Sequence, residues 1–249
     1  MRIVVQTFTA SGTYMPSPGL MFAVADCYGA GGGGGTAQNA GAATWCISGG
    51  GGGSGGWSRK TVPASLVLGG VVVTIGAGGS GGTIPVGGNG TATSFGALCV
   101  ANGGTGGNGN GYAEPGGDGA PGNGGVPGIG DLAFPGASGQ TGALQVFPTL
   151  EVAVPVGGMG GAILGGNSIT VAGAPGTSNG NPGAANTGAG GSGGMINQAP
   201  PSTAVGGAGG SGLCVVTEYC WADASGGSGS SGCVNVPASG WYGHGGWHD

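Results

Sequence analysis

Short apolar stretches alternate with runs of glycine along this chain, and that alternation defines its elements. Ile3–Thr9 alternates weakly between apolar and polar positions and ends in the turn signal Ala10, Ser11, Gly12. Leu20–Tyr28 is a continuous apolar run, as a buried strand would be, and it passes directly into the glycines of 29–35. Ser58–Leu68 and Val71–Ile75 read as a strand pair around Gly69–Gly70, a dipeptide compatible with a hairpin. Thr93–Ala101 and Leu213–Cys220 read as two further strands beside glycine runs. The repeated unit is therefore structural: strand, glycine run, loop and return. Asp131–Val156 departs from it. With Leu132, Phe134, Leu144, Val146 and Val152 among Pro135, Pro148 and Pro155, it reads as a β excursion between glycine blocks, edge-like because of its prolines.

Glycine fills 72 of 249 positions. It is a poor helix former and weakens strand interiors, so an ordinary helical or α/β enzyme is not expected. Within the runs, glycine often recurs every third position, as at Gly116, Gly119, Gly122, Gly125 and Gly128, and at Gly206, Gly209 and Gly212. Three residues per turn is the period of the polyproline II helix. The register breaks too often for collagen. A polyproline-type helix has no internal hydrogen bonds, so a buried one must bond to its neighbours. One glycine per turn clears one face for that approach, and a GGx pattern clears two. The fold class expected is all-β: a small β-sandwich combined with a bundle of short polyglycine or polyproline II-type helices, and little or no α-helix.

Charge narrows the function. Only Arg2, Arg59 and Lys60 oppose eight acids, and charged residues make up 4% of the chain. Three cations cannot neutralise a phosphate backbone, which argues against nucleic-acid binding. Low charge, 38% apolar residues and a mean hydropathy of +0.22 fit simple disorder badly. No membrane insertion is expected: the longest apolar stretch, Leu66–Ile75, is about half the ~20 residues of a spanning helix. The opening MRIVVQTFTASG turns polar too early for a secretory signal. Cys27, Cys46, Cys99, Cys214, Cys220 and Cys233 lack CxxC spacing, which argues against zinc. Mostly reduced, buried thiols at strand ends are expected. Cys214 and Cys220 would face the same side of one strand, and Cys220 with Cys233 is the single bridge the spacing best allows.

Catalytic motifs fail on inspection. G-x-S-x-G occurs at 52–56, 78–82 and 190–194, as low complexity supplies by chance, with no strand–helix elbow around it. Walker A is absent, since Lys60 is the sole lysine. The acids are dispersed, so neither an enzyme such as a glycan hydrolase nor a cofactor is expected. A metal site at His244, His248 and Asp249 is a remote alternative to a solvated polar terminus. Trp221, Trp241, Tyr242, His244 and Trp247 lie in a glycine- and serine-rich tail. Aromatics on loops give large rigid contact area at low entropy cost, so these are candidate receptor-binding residues; the alternative is that they form the tail's own small core. Trp45 and Trp57, flanking a glycine run, are expected in the core, and Glu218 is expected to be structural.

Several of these segments carry a resemblance. Thr7-Phe8, Ser11-Gly12-Thr13-Tyr14 and Pro18-Gly19, followed by an apolar strand into Gly29–Gly34, resemble the glycine-rich domain of bacteriophage tail and tail-fibre proteins. So do Val73–Gly79, Thr93–Gly96 and Gly209–Gly212 with Val216–Tyr219. The resemblance covers roughly 1–112 and 204–220. It implies a β-sandwich anchoring stacked glycine helices, with variable loops that touch the host surface. The organisation expected is a glycine-rich β domain over 1–112, an inserted excursion with variable loops over 113–203, a closing strand over 204–220 and an aromatic tail over 221–249. The function expected is a non-catalytic virion protein, assembled in the host cytoplasm, at the tail tip or fibre. Its partners would be a bacterial surface glycan or protein and other tail proteins, with several copies per particle. A purely structural tail or capsid component is the alternative, and an antifreeze-like bundle is a weaker one.

Overall fold

In the computed structural model, residues 1–39, 46–82, 86–111, 118–147, 152–157, 164, 170–171, 175–199 and 201–221 are described. The strands among them are, in chain order, β1 Arg2–Phe8, β2 Gly12–Tyr14, β3 Leu20–Tyr28, β4 Ala37–Asn39, β5 Cys46–Ser48 and β6 Trp57–Pro63. There follow β7 Val71–Thr74, β8 Thr93–Phe95, β9 Cys99–Ala101, β10 Asn110–Gly111, β11 Leu132–Phe134 and β12 Ala143–Phe147. The last are β13 Val152–Gly157, β14 Thr170–Val171, β15 Gly176–Ser178, β16 Met195–Asn197, β17 Ser202–Ala204 and β18 Leu213–Cys220. The fold is all-β, as its composition requires; the one helical element described is a 3-10 turn at Ala64–Leu66.

A sandwich forms one end of the molecule. A five-stranded sheet, β1-β18-β3-β6-β11, faces a four-stranded sheet, β2-β7-β8-β9. Tyr14, Ala23, Ala25, Cys27, Val62, Val73, Phe95, Cys214 and Val216 are buried between them. In β3 the small residues Ala23, Ala25 and Cys27 face this core while Phe22, Val24 and Tyr28 point out. Small side chains on the central strand leave room for Tyr14 and Phe95, whose rings meet edge to face at 5.1 Å. The expected hairpin across Gly69–Gly70 does not form. β6 and β7 belong to opposite sheets, and the chain crosses between them through Pro63, the 3-10 turn and Gly70, whose φ is +81°. Proline at 63 ends the ladder, and only glycine takes the left-handed turn cheaply.

Glycine segments fill the middle. Five run away from the sandwich (29–36, 76–82, 102–109, 136–142 and 188–194) and five return (49–56, 87–91, 118–128, 179–184 and 205–212), as their mutual hydrogen bonds show. The segment 29–35 makes the geometry plain. Its successive N–H groups donate to Gly56, Thr91, Gly210, Gly53, Gly88, Gly207 and Gly50, so every third residue turns to the same neighbour. Its carbonyls accept from Gly79, Gly82, Gly104, Gly107, Gly191 and Gly194 on three other neighbours. Six neighbours around a threefold helix make a hexagonal lattice, and none of the glycines of 29–35 has positive φ, so the helix is the left-handed polyproline type.

Glycine density follows the number of neighbours. The segments 29–35 and 49–56 are enclosed and almost wholly glycine. A Cβ on Gly32 would sit inside the backbone carbonyl of Thr105, and one on Gly53 inside that of Asn123. At the periphery, 118–128 keeps Gly119, Gly122, Gly125 and Gly128 inward and turns Asp118, Ala120, Asn123 and Val126 toward solvent. The sequence reading of one glycine per turn for one face extends to all three faces at the centre. It missed 136–142 and 179–184 as lattice segments, because their glycines are sparse. The expected excursion over 131–156 is thus divided: β11 joins the sandwich, 136–142 joins the lattice, and β12 and β13 lie beyond it. β11 is an edge strand. β13 is a middle strand, but β14 pairs only with Val156 and Gly157, so Pro155 needs no donor on that side.

Candidate recognition surfaces

The described parts of five connections, 37–48, 83–86, 110–117, 143–178 and 195–204, lie at the end of the lattice away from the sandwich. Each follows from the lattice, since every outgoing segment must turn there to return. Their described strands form three small sheets, β10-β4-β17, β15-β16-β5 and β12-β13-β14. Ala37, Ile47, Ile196, Ala199 and Ala204 close a small core beneath two of them. Polar bonds fix these sheets to the lattice. Asn39 Nδ2 donates to the carbonyl of Ala199 at 2.9 Å, the Thr36 hydroxyl donates to the carbonyl of Gly82, and the Ser48 hydroxyl donates to Asp118 Oδ1 at 3.0 Å. Val86, Leu164 and Val205 are exposed apolar side chains of this region.

The described residues of this far end carry almost no charge, while Glu114 and Glu151 fall in its connections outside the described residues. Of the described charged residues, Arg2, Asp26, Arg59, Lys60, Asp131 and Glu218 all belong to the sandwich, and Asp118 alone lies beyond it. A ligand here would be met by backbone amides, hydroxyls, carboxamides and small apolar groups. The described part of this surface offers shape and hydrogen bonding.

The sandwich carries the second surface. On the outer face of its five-stranded sheet the registers align Ile3, Tyr219 and Phe22 in one row, and Val5, Thr217 and Val24 in the next. A further row joins Tyr28, Trp57 and Phe134. Phe22 and Tyr219 stack at 4.5 Å, and Trp57 and Phe134 at 5.5 Å. Between the rows, Arg59 donates from Nε and Nη2 to Asp26 at 2.8 and 2.9 Å, and Trp57 Nε1 donates to the same carboxylate at 3.1 Å. The Asp26 hydrogen bond holds the Arg59 guanidinium above its usual pKa. Arg59 also lies over the Trp57 ring at 5.3 Å. Trp57 is therefore half-buried on the outer face and not in the core: its strand parity matches Tyr28 and Phe134, whose rings it contacts. Trp45 lies outside the described residues.

Glu218 is structural in the way its position suggests. It is fully buried and accepts from the Tyr14 hydroxyl at 2.6 Å, Ser17 N at 2.9 Å, Ser17 Oγ at 2.6 Å and Gln6 Nε2 at 3.2 Å. Burial pushes its pKa up, but the donors of Ser17, Tyr14 and Gln6 outweigh burial and hold it below the usual carboxylate range. Burial, and then the bond to Glu218, drive the Tyr14 phenol well above its ordinary value.

Of the candidate receptor-binding residues, Trp221 is exposed at 68% and its N–H donates to the carbonyl of Gly19 at 2.9 Å, at the sandwich's outer end. Trp241, Tyr242, His244 and Trp247 lie outside the described residues, as do His248 and Asp249. The chain beyond Trp221 thus departs from the end opposite the five connections. The outer-face aromatics were overlooked in the sequence; the available signal was β3 itself, where large and small apolar residues alternate.

Cys27, Cys46, Cys99, Cys214 and Cys220 are buried, and Cys27, Cys99, Cys214 and Cys220 are free thiols. Cys214 and Cys220 do face the same side of β18. The expected bridge from Cys220 to Cys233 is not formed: Cys220 points into the sandwich beside the Glu218 network, and Cys233 lies outside the described residues. Cys27 and Cys214 are direct partners across β3 and β18, with sulfurs 3.8 Å apart. Hydrogen bonds to Cys214 and Cys99, together with burial, push the Cys27 thiol far up, so it stays protonated. Among the described residues no cluster of His, Cys, Asp or Glu suits a metal ion.

No curated protein matches this chain. The family model described as the glycine-rich domain matches residues 7–239, from the first strand of the sandwich through the lattice and beyond β18. On that match the chain belongs to the glycine-rich domain family.

Proposed function

We propose that this protein is a non-catalytic recognition module of a bacteriophage tail, tip or fibre, whose lattice holds a set of connections against the bacterial surface. The observation that carries this reading is the gathering of the described parts of five connections at one end of a hydrogen-bonded lattice. Loops held by a rigid scaffold lose little entropy on binding, and several copies on one particle turn weak contacts into avidity. The phage assignment itself rests on the resemblance of the sandwich and glycine segments to tail and tail-fibre proteins.

A second reading is a structural tail component without receptor contact. The apolar outer face of the five-stranded sheet favours it, since a contiguous exposed apolar patch marks a protein interface. The two readings use opposite ends of the molecule and are compatible in one particle. Labelled protein titrated against a panel of bacterial strains separates them. Saturable binding to a subset of strains is expected of the recognition module. A folded protein that binds no strain would overturn it in favour of the structural role.

A further inference from the structure

We infer that two copies of this chain associate through β1, edge to edge and antiparallel about a twofold axis at Val5. The inference stands apart from the recognition role.

The two edges of the five-stranded sheet are built differently. β11 is short, it is followed at once by Pro135, and the Lys60–Asp131 ion pair at 2.6 Å stands beside it. These are the devices by which sheets discourage further pairing. β1 has none of them. It spans Arg2–Phe8 without proline, lysine or bulge, pairs with β18 along its whole length, and has no other strand neighbour among the described residues. Its outward side chains Ile3 and Val5 are 55% and 58% exposed. A long, regular, apolar edge of this kind presents unpaired N–H and C=O groups to any complementary strand.

The sequence of β1 complements itself. In an antiparallel pairing centred on Val5, Val5 faces its own copy, Ile3 faces Thr7, Val4 faces Gln6 and Arg2 faces Phe8. Like charges meet nowhere in that register, because Arg2 is the strand's one charge and lies at its end. β-branched pairs fall at the centre, where cross-strand packing contributes most. The row Val5, Thr217 and Val24 would then continue across the axis into the same row of the second copy, while the Ile3 row would meet the row of Thr7, Val215 and Asp26. An extended segment of a different protein could meet the backbone groups equally well, but it would lack a reason to match this register.

Sedimentation velocity on the full chain, from about 1 to 300 µM, tests the inference, since an edge smaller than a standard interface should associate near the micromolar range. Wild type should shift from monomer to dimer as concentration rises. Val5→Lys and Val5→Glu each set like charges across the axis and should weaken the dimer about tenfold or more, with thermal unfolding of the monomer unchanged. An equimolar mixture of the two variants should restore dimerisation, which a general surface effect would not do. A wild type that stays monomeric throughout overturns the inference and leaves the edge to a strand from another protein. A dimer that Val5→Lys leaves intact, or a mixture that does not recover, overturns it as well.

Discussion

Gly32 and Glu218 show how single positions are constrained. Gly32 meets backbone where a Cβ would have to stand, and backbone cannot swing aside. Gly32→Ala should cost about 3–5 kcal/mol or prevent folding, whereas Gly69→Ala, with open space around its Cβ position, should change stability by less than about 1 kcal/mol. Urea unfolding of both variants checks this. Glu218→Gln exchanges an acceptor for a donor facing Ser17 and Tyr14, and should cost about 2–3 kcal/mol at neutral pH. Because the carboxyl's pKa is depressed by folding, its contribution is complete above the ordinary value of 4.5 and fades as pH falls through the folded value. The stability difference between wild type and Glu218→Gln should therefore shrink on acidification, measured by unfolding at a series of pH values. A difference that stays constant down to pH 2 would mean the carboxylate is not held as described.

At the scale of the element, glycine is graded by position in the lattice. A central segment has neighbours on every side and admits almost no side chain; a peripheral one needs glycine on its inward face alone. That grading was legible in the sequence from the contrast between 29–35 and the triplets of 116–128. The segments 136–142 and 179–184 were not, because two or three glycines in a short polar stretch look like any loop until a neighbouring segment supplies their partners. The same limit explains β6 and β7: a Gly-Gly dipeptide fits a hairpin locally, and only the sandwich decides that the chain crosses between sheets. Trp57 failed for a related reason, since parity fixes which residues share a face but not which face is the core. Amide hydrogen exchange measures the grading directly. The N–H groups of 29–35 and 49–56 should exchange slowest in the lattice, and those of 179–184 distinctly faster. Equal, rapid exchange in all of them would mean the segments do not form a packed lattice. On the outward side, Val126→Ser should change stability by less than about 0.5 kcal/mol, since Val126 is 65% exposed.

The whole molecule has two unlike ends joined by the lattice. The sandwich holds nearly all the described charge, the aromatic outer face and the open edge of β1. The far end holds five connections and one described charge. The proposed recognition at the far end and the inferred association at the sandwich rest on that division, and Trp221 lies on the sandwich side. The aromatic tail was the more conspicuous candidate in the sequence because three of the chain's five tryptophans fall in it; the gathering of the described parts of the connections depends on a topology that no local pattern encodes. Binding to a responsive bacterial strain, measured for three sets of folded variants, tests the account most directly. Val86→Asp with Leu164→Asp alters the far end, Trp221→Ala the sandwich end, and Trp241→Ala with Trp247→Ala the tail. The account predicts at least tenfold weaker binding for the first set and binding within about twofold of wild type for Trp221→Ala, as loss of a desolvated apolar contact costs upwards of 1 kcal/mol. Full binding by the far-end pair, with loss in the tail pair, would contradict it and move recognition to the aromatic tail.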